Sequence, residues 1–213
     1  MKYLLFLFSW ILVSHFSSAQ TLADQLDSIY TEDQKYRRQM DEIVKVFGWE
    51  SKEMKAHWKV IKEIDSLNLI KVKSILDKHG WLGADVVGDF GNSTLFLVIQ
   101  HSDQTTQEKY LPMMREAVKV GNAQRSALAL LEDRVALGQG RKQIYGSQIG
   151  RNLETKEYYV RPLEDPDTVD QRRSEVGLDT MSEYLNHWQL KWNAEQYKKD
   201  LNEIEKKEKL NPK

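Results

Sequence analysis

The chain has 213 residues, 31 Lys+Arg against 32 Asp+Glu, a formal charge of -1 and 40% hydrophobic residues. That length supports one domain with room for an appendage, and an aromatic share of 10% is too high for wholesale disorder. The charge balance argues against a nucleic-acid binder, which shows a basic excess or stripe. The absence of Cys removes disulfides, thiolate metal sites, iron–sulfur clusters and cysteine nucleophiles together.

Residues 1–19 read as a signal peptide. Met1-Lys2 is a basic start, Tyr3–Val13 is apolar apart from Ser9, and Ser17-Ser18-Ala19 supplies small residues for a cleavage site. The apolar run is too short to span about 30 Å of hydrocarbon. The mature chain would begin at Gln20, carry a net charge of -2 and have no transmembrane segment, which predicts a periplasmic or secreted protein.

Leu22, Leu26, Ile29, Asp33, Tyr36, Met40, Ile43 and Phe47 alternate by four and three, the pattern of one long amphipathic helix ended by Gly48. Asp33 interrupts the stripe and argues against a sustained coiled coil. A second helix is predicted from about Lys52 to Asp65. Asn68 caps a third, in which Leu69, Val72, Leu76 and His79 stay in register before Gly80 closes it. Trp81–Asn92 holds three glycines and reads as a loop. Leu95–Ile99 is apolar on every side and is placed as a buried helix rather than a strand. Gln104–Lys119 follows as a helix that Pro112 kinks or begins. Arg125–Leu137 is the next helix.

The period then changes. Gln143–Ile149 and Glu157–Leu163 are short and β-rich, with Gly150-Arg151-Asn152 between them, so a hairpin is expected. Asp165-Pro166 looks like a cap and first turn, with Gly177 closing that helix. Thr180-Met-Ser-Glu183 is a capping box for a last helix with Met181, Leu185, Trp188 and Trp192 on its apolar face. Beyond Tyr197 the charges thicken into a solvated, fraying end. The fold class is therefore mainly α, with one small β-hairpin at about 143–163. Organisation follows as a signal peptide over 1–19, a helical extension over 20–66, a helical core with the hairpin over 67–186, and a charged helix or tail over 187–213.

Polar residues that oppose the apolar pattern are the candidates for chemistry. Arg134 falls between Leu130 and Ala127 on the apolar face of its helix, and Asp133 lies at that face's edge. An inward Arg cannot shed its charge and must find carboxylates, carbonyls or an anionic ligand. His101 and Asp103 stand at the end of the buried Leu95–Ile99 segment. Together they could supply a general acid/base, or a helix C-terminal cation followed by an N-cap. His57 and His187 look like surface residues, and His79 like a hydrogen-bonded core or cap residue. No histidine pair has a metal-binding spacing, and no P-loop, G-x-G-x-x-G or G-x-S-x-G motif is present. No metal or cofactor is expected. Tyr145-Gly146-Ser147-Gln148 suits a strand where another group approaches the backbone closely.

His79-Gly-Trp81, Gln100-His-Ser-Asp103, Glu132-Asp-Arg134, Tyr145-Gly-Ser-Gln148, Pro162-Leu-Glu-Asp165 and Asp170-Gln-Arg-Arg173 occur in order. Over about Asn68–Leu185 this set resembles a bacterial family catalogued only as a domain of unknown function. The resemblance implies a shared fold, and brings no activity, substrate or cofactor. Two readings of function follow. In the first, His101, Asp103 and Arg134 are catalytic, with Gln100, Asp133, Gln143, Tyr145 and Gln148 binding a small polar ligand, and hydrolysis is the reaction class. In the second, the same residues form a buried hydrogen-bond network in a structural or interaction module of the cell envelope. The partner is accordingly a small molecule or an envelope protein, and not nucleic acid.

Overall fold

A computed structural model describes residues 22–152 and 154–210. The signal-peptide segment and the last three residues lie outside them. The protein is mainly α, with one two-stranded antiparallel hairpin. In chain order the elements are α1 (22–37), α2 (Met40–Phe47), α3 (Lys52–His79), α4 (Ala84–His101), α5 (Gln104–Lys119) and α6 (Arg125–Gly138). Then come β1 (Ile149–Arg151), β2 (Tyr158–Val160), α7 (Val169–Glu175), α8 (Met181–Asn186) and α9 (Ala194–Leu210). They form two compact units. The first runs to Thr106 and takes in Pro112–Ala123; the second comprises Gln107–Leu111 and everything from Gln124.

In the first unit, the stripe predicted as one helix is broken at Arg38-Gln39, where Gln39 N–H bonds Tyr36 C=O in a tight turn. Leu26, Ile29 and Asp33 all point inward. The two helices expected around Asn68 are a single helix, α3, N-capped by Ser51. Asn68 is not a cap. It is fully buried within α3, and neither its amide nitrogen nor its oxygen has a partner. Local propensity favours a cap for Asn, but burial of Ile61, Val72 and Ile75 on the same helix carries the helix through. His79, at the end of α3, is exposed rather than a core residue, while His57 is half-buried and bonds Tyr36 C=O at 2.7 Å.

The segment read as a glycine loop, Trp81–Asn92, is helical from Ala84. Gly88 (φ 72°) supplies the only non-helical conformation and kinks α4 there. Gly91 belongs to the helix because a Cβ would meet Val87 at 3.0 Å and Leu26 at 3.4 Å. Two further ties follow. Thr94 Oγ1 donates to Leu26 C=O, and Asn92 Nδ2 donates to Leu82 and Asn122 C=O. Leu95–Ile99 is a buried helical segment, as expected. Pro112 sits inside a continuous α5 and does not start it.

In the second unit, Val160, Leu163, Val169, Met181, Leu185, Tyr197 and Ile204 form one core. Burying each aliphatic side chain contributes about 1.5–3 kcal/mol. A hairpin lies within the expected span, but its strands are only three residues each and 143–148 is not part of them; Gly150 and Arg151 belong to β1 and pair with Tyr159 and Tyr158. A Cβ on Gly150 would lie 2.4 Å from the Tyr159 ring, which packs against that glycine. The capping box at Thr180 is present. However, α8 ends at Asn186, so Trp188 and Trp192 are not on its face. The helix predicted from Asp165-Pro166 begins instead after Thr168.

Within the described residues, the charged segment expected to fray forms a helix that packs on the core. In α9, Tyr197 and Ile204 are buried, and the Tyr197 hydroxyl accepts from Leu163 N–H and donates to Arg161 C=O. Glu208 receives both Arg161 and the Tyr159 hydroxyl. Charge density concealed a sparse apolar stripe, Tyr197, Leu201 and Ile204, that finds a core only in three dimensions.

Candidate functional site

The first cluster is built on α1, α3 and the end of α4. The stripe of α1 turns Asp33 inward to 1% exposure, and the C-terminus of α4 brings His101 to it, with Nδ1 3.2 Å from Asp33 Oδ1. Arg37, one turn on from Asp33, donates to Asp33 Oδ1 at 3.0 Å and grips both oxygens of Asp65 at 2.8 Å. Burial pushes the Asp33 carboxyl up. His101, Arg37 and Gln34 together outweigh burial and hold it below the ordinary carboxylate range. With Asp33 ionised, its Oδ1 accepts from His101 Nδ1–H, and in the neutral form of the ring this leaves the lone pair on Nε2. Nε2 has no protein partner among the described residues, and the side chain is 19% exposed. Asp33, Asp65 and His101 each place a potential ligand atom within 4.8 Å of the others, so this trio could hold a metal ion. Arg37 balances both carboxylates here.

The second cluster, in the second unit, uses charge differently. Asp133 on α6 is fully buried, and its two oxygens accept the backbone N–H groups of Ile144, Tyr145 and Ser147 at 2.6, 3.0 and 2.9 Å. Burial raises its pKa, and these N–H bonds pull the other way as the smaller influence. The carbonyls of the same loop face guanidinium groups. Arg172 donates to Ile144 C=O at 2.9 Å and Arg173 to Tyr145 C=O at 2.6 Å. Arg173 is 2% exposed and also bonds Asp179 C=O. Gln143 accepts from Gln148 N–H and donates to the carbonyls of Gln148 and Arg161. Gly146 (φ 69°) would place a Cβ 2.6 Å from Met181 Sδ, so the close approach expected there is real, although in a loop and not in a strand.

Arg134 lies one residue beyond Asp133 and is half-buried, and its Nε is buried with no hydrogen-bond partner. Burial and the Arg161 charge lower its pKa, while Tyr184 opposes them.

The eight residues singled out from sequence thus fall in both units. Gln100, His101 and Asp103 are in the first. Asp103 is the N-cap of α5, accepting from Thr106 N–H at 2.8 Å. Asp133, Arg134, Gln143, Tyr145 and Gln148 are in the second. Sequence reasoning missed Asp33, Arg37, Asp65 and Arg173. The signal for Asp33 was present, since a lone Asp in an apolar stripe is the same anomaly that marks Arg134. Asp65 and Arg173 carry no such mark.

The described residues therefore define a mainly α protein with one charged side-chain cluster and one carboxylate-centred loop clamp. The chain belongs to a family of unknown function, DUF6624, whose model matches residues 20–194. That span includes the N-terminal helices, which the resemblance read from motifs had left out. No curated protein and no solved structure matches the chain.

Proposed function

We propose that this is an exported protein whose acid–base centre is His101, oriented by Asp33, acting on a small polar substrate, with hydrolysis as the reaction class. One observation carries the reading: a buried carboxylate holds Nδ1 of a histidine whose side chain is 19% exposed and whose Nε2 has no protein partner among the described residues. That geometry fixes the tautomer and presents a lone pair able to take a proton from water or a substrate hydroxyl. Arg37 is a positioning residue that helps keep Asp33 ionised and in place, and Asp65 holds Arg37. Export is supported by the basic, apolar and small-residue succession of residues 1–19 and by a family match that begins at Gln20.

The roles expected for Asp103 and Asp133 are narrowed, since one oxygen of Asp103 and both oxygens of Asp133 accept backbone N–H groups. That observation favours the second reading, a non-catalytic module of the cell envelope. One experiment separates the two. Residues 20–213 are screened against ester, amide, phosphoester and glycoside substrates, with His101→Gln as control, and the His101 tautomer is read by 15N NMR. The acid–base reading expects an Nδ1–H tautomer, activity lost in His101→Gln, and a melting temperature changed by only about 2–4 °C. An Nε2–H tautomer, or undiminished activity in the variant, sinks it.

A further inference from the structure

We infer that Arg134 is a binding site for an oxyanion, a carboxylate or a phosphate group, independent of His101. The ground is an imbalance of charge. Three other arginines of the second unit, Arg161, Arg172 and Arg173, are accounted for. Arg161 pairs with Glu208 through two nitrogens at 2.5–3.0 Å, and Arg172 and Arg173 donate to backbone carbonyls. Arg134 has neither kind of partner. Its Nε is buried with no acceptor, and no carboxylate lies within 4 Å of the guanidinium among the described residues. Its neighbour Asp133 turns both oxygens to the N–H groups of the loop and makes no ion pair with Arg134 among the described residues. Tyr184 does not serve either: its hydroxyl donates to Ser147 C=O at 2.6 Å, and no hydrogen bond joins it to Arg134 among the described residues.

A guanidinium cannot escape this by losing its proton, and a buried unpaired donor lowers stability. Replacing such a group with an apolar one of similar shape is neutral or stabilising for the fold alone. The Nε–H, which has no acceptor, and one adjacent Nη form one edge of the fork. That edge matches two oxygens of a carboxylate or phosphate. Binding there satisfies the orphaned N–H and cancels the charge. The Arg161 side chain adds positive potential at the same place.

The test uses residues 20–213 with acetate, succinate and inorganic phosphate as probes, each against chloride at equal ionic strength. Wild type is expected to melt about 2–5 °C higher with at least one oxyanion. Acetate or succinate as the active probe identifies a carboxylate ligand, and phosphate identifies a phosphate ligand. In chloride, Arg134→Met is expected to melt at or above the wild-type temperature and to lose the oxyanion shift. Arg134→Lys keeps the charge without the fork and should show less than half of the shift. The Arg134 Nε–H resonance should move on titration, and His101→Gln should leave all of this unchanged. The proposal is overturned if no oxyanion exceeds chloride, if Arg134→Met keeps the shift, or if that variant melts several degrees lower in chloride.

Discussion

The two units handle buried charge in opposite ways. In the first, charge meets charge: Asp33 lies among His101 and Arg37, with Asp65 holding the far side of Arg37. In the second, charge meets peptide: Asp133 takes three backbone N–H groups, and Arg172 and Arg173 take the carbonyls of the same loop. The loop's amide dipoles thus lie between a carboxylate on one side and guanidinium groups on the other. A carboxylate in that position has both oxygens bonded to backbone N–H groups and organises the loop. A carboxylate that faces a histidine orients a ring whose other nitrogen remains available. Burial alone does not separate the two roles, since Asp33 and Asp133 are equally hidden. The kind of partner does.

The comparison is most sharply tested at Asp133. Asp133→Ala strands three N–H groups of a buried loop, and a loss of about 3–5 kcal/mol is expected from urea unfolding. A loss under about 1 kcal/mol would mean that the loop finds water or other acceptors and that the clamp is not structural. At Asp33 the expected effect is smaller and depends on pH. Its folded pKa lies below the ordinary 3.8, so the ionised form is favoured by folding. Its contribution is fully present above the unfolded value and fades as pH falls through the lower folded one. The stability gap between wild type and Asp33→Asn should therefore be about 1–3 kcal/mol at pH 7 and shrink below about pH 4. A gap that widens in acid would contradict the charge-network account of the first unit. The smallest change is Thr180→Ala, which removes the capping box of α8 and should cost about 1 kcal/mol without touching either cluster. A much larger loss there would show that the second unit depends on α8 more than on the clamp.

Much of this was legible in the sequence where the physics is local. The Thr180 capping box and the buried Leu95–Ile99 helix follow from spacing and side-chain type. The inward Arg134 was visible because a charge on an apolar face has few explanations. The rest required partners distant along the chain. Asp33 meets His101 across 68 residues, and Asp133 meets Ser147 across 14. No periodicity encodes such a pairing.

What the sequence by itself determined is which faces are apolar and which residues contradict them, because hydrophobic burial reads the repeat of each helix one element at a time. Only the tertiary structure decided that Asn68 lies inside a helix rather than capping one. It alone showed that Trp81–Asn92 is mostly helical, and that α9 packs on a core despite its charges. The reason is common to all three. Local preferences of about 1 kcal/mol are outweighed when a segment's apolar side chains find a shared interior, and where that interior lies is a property of the assembled chain.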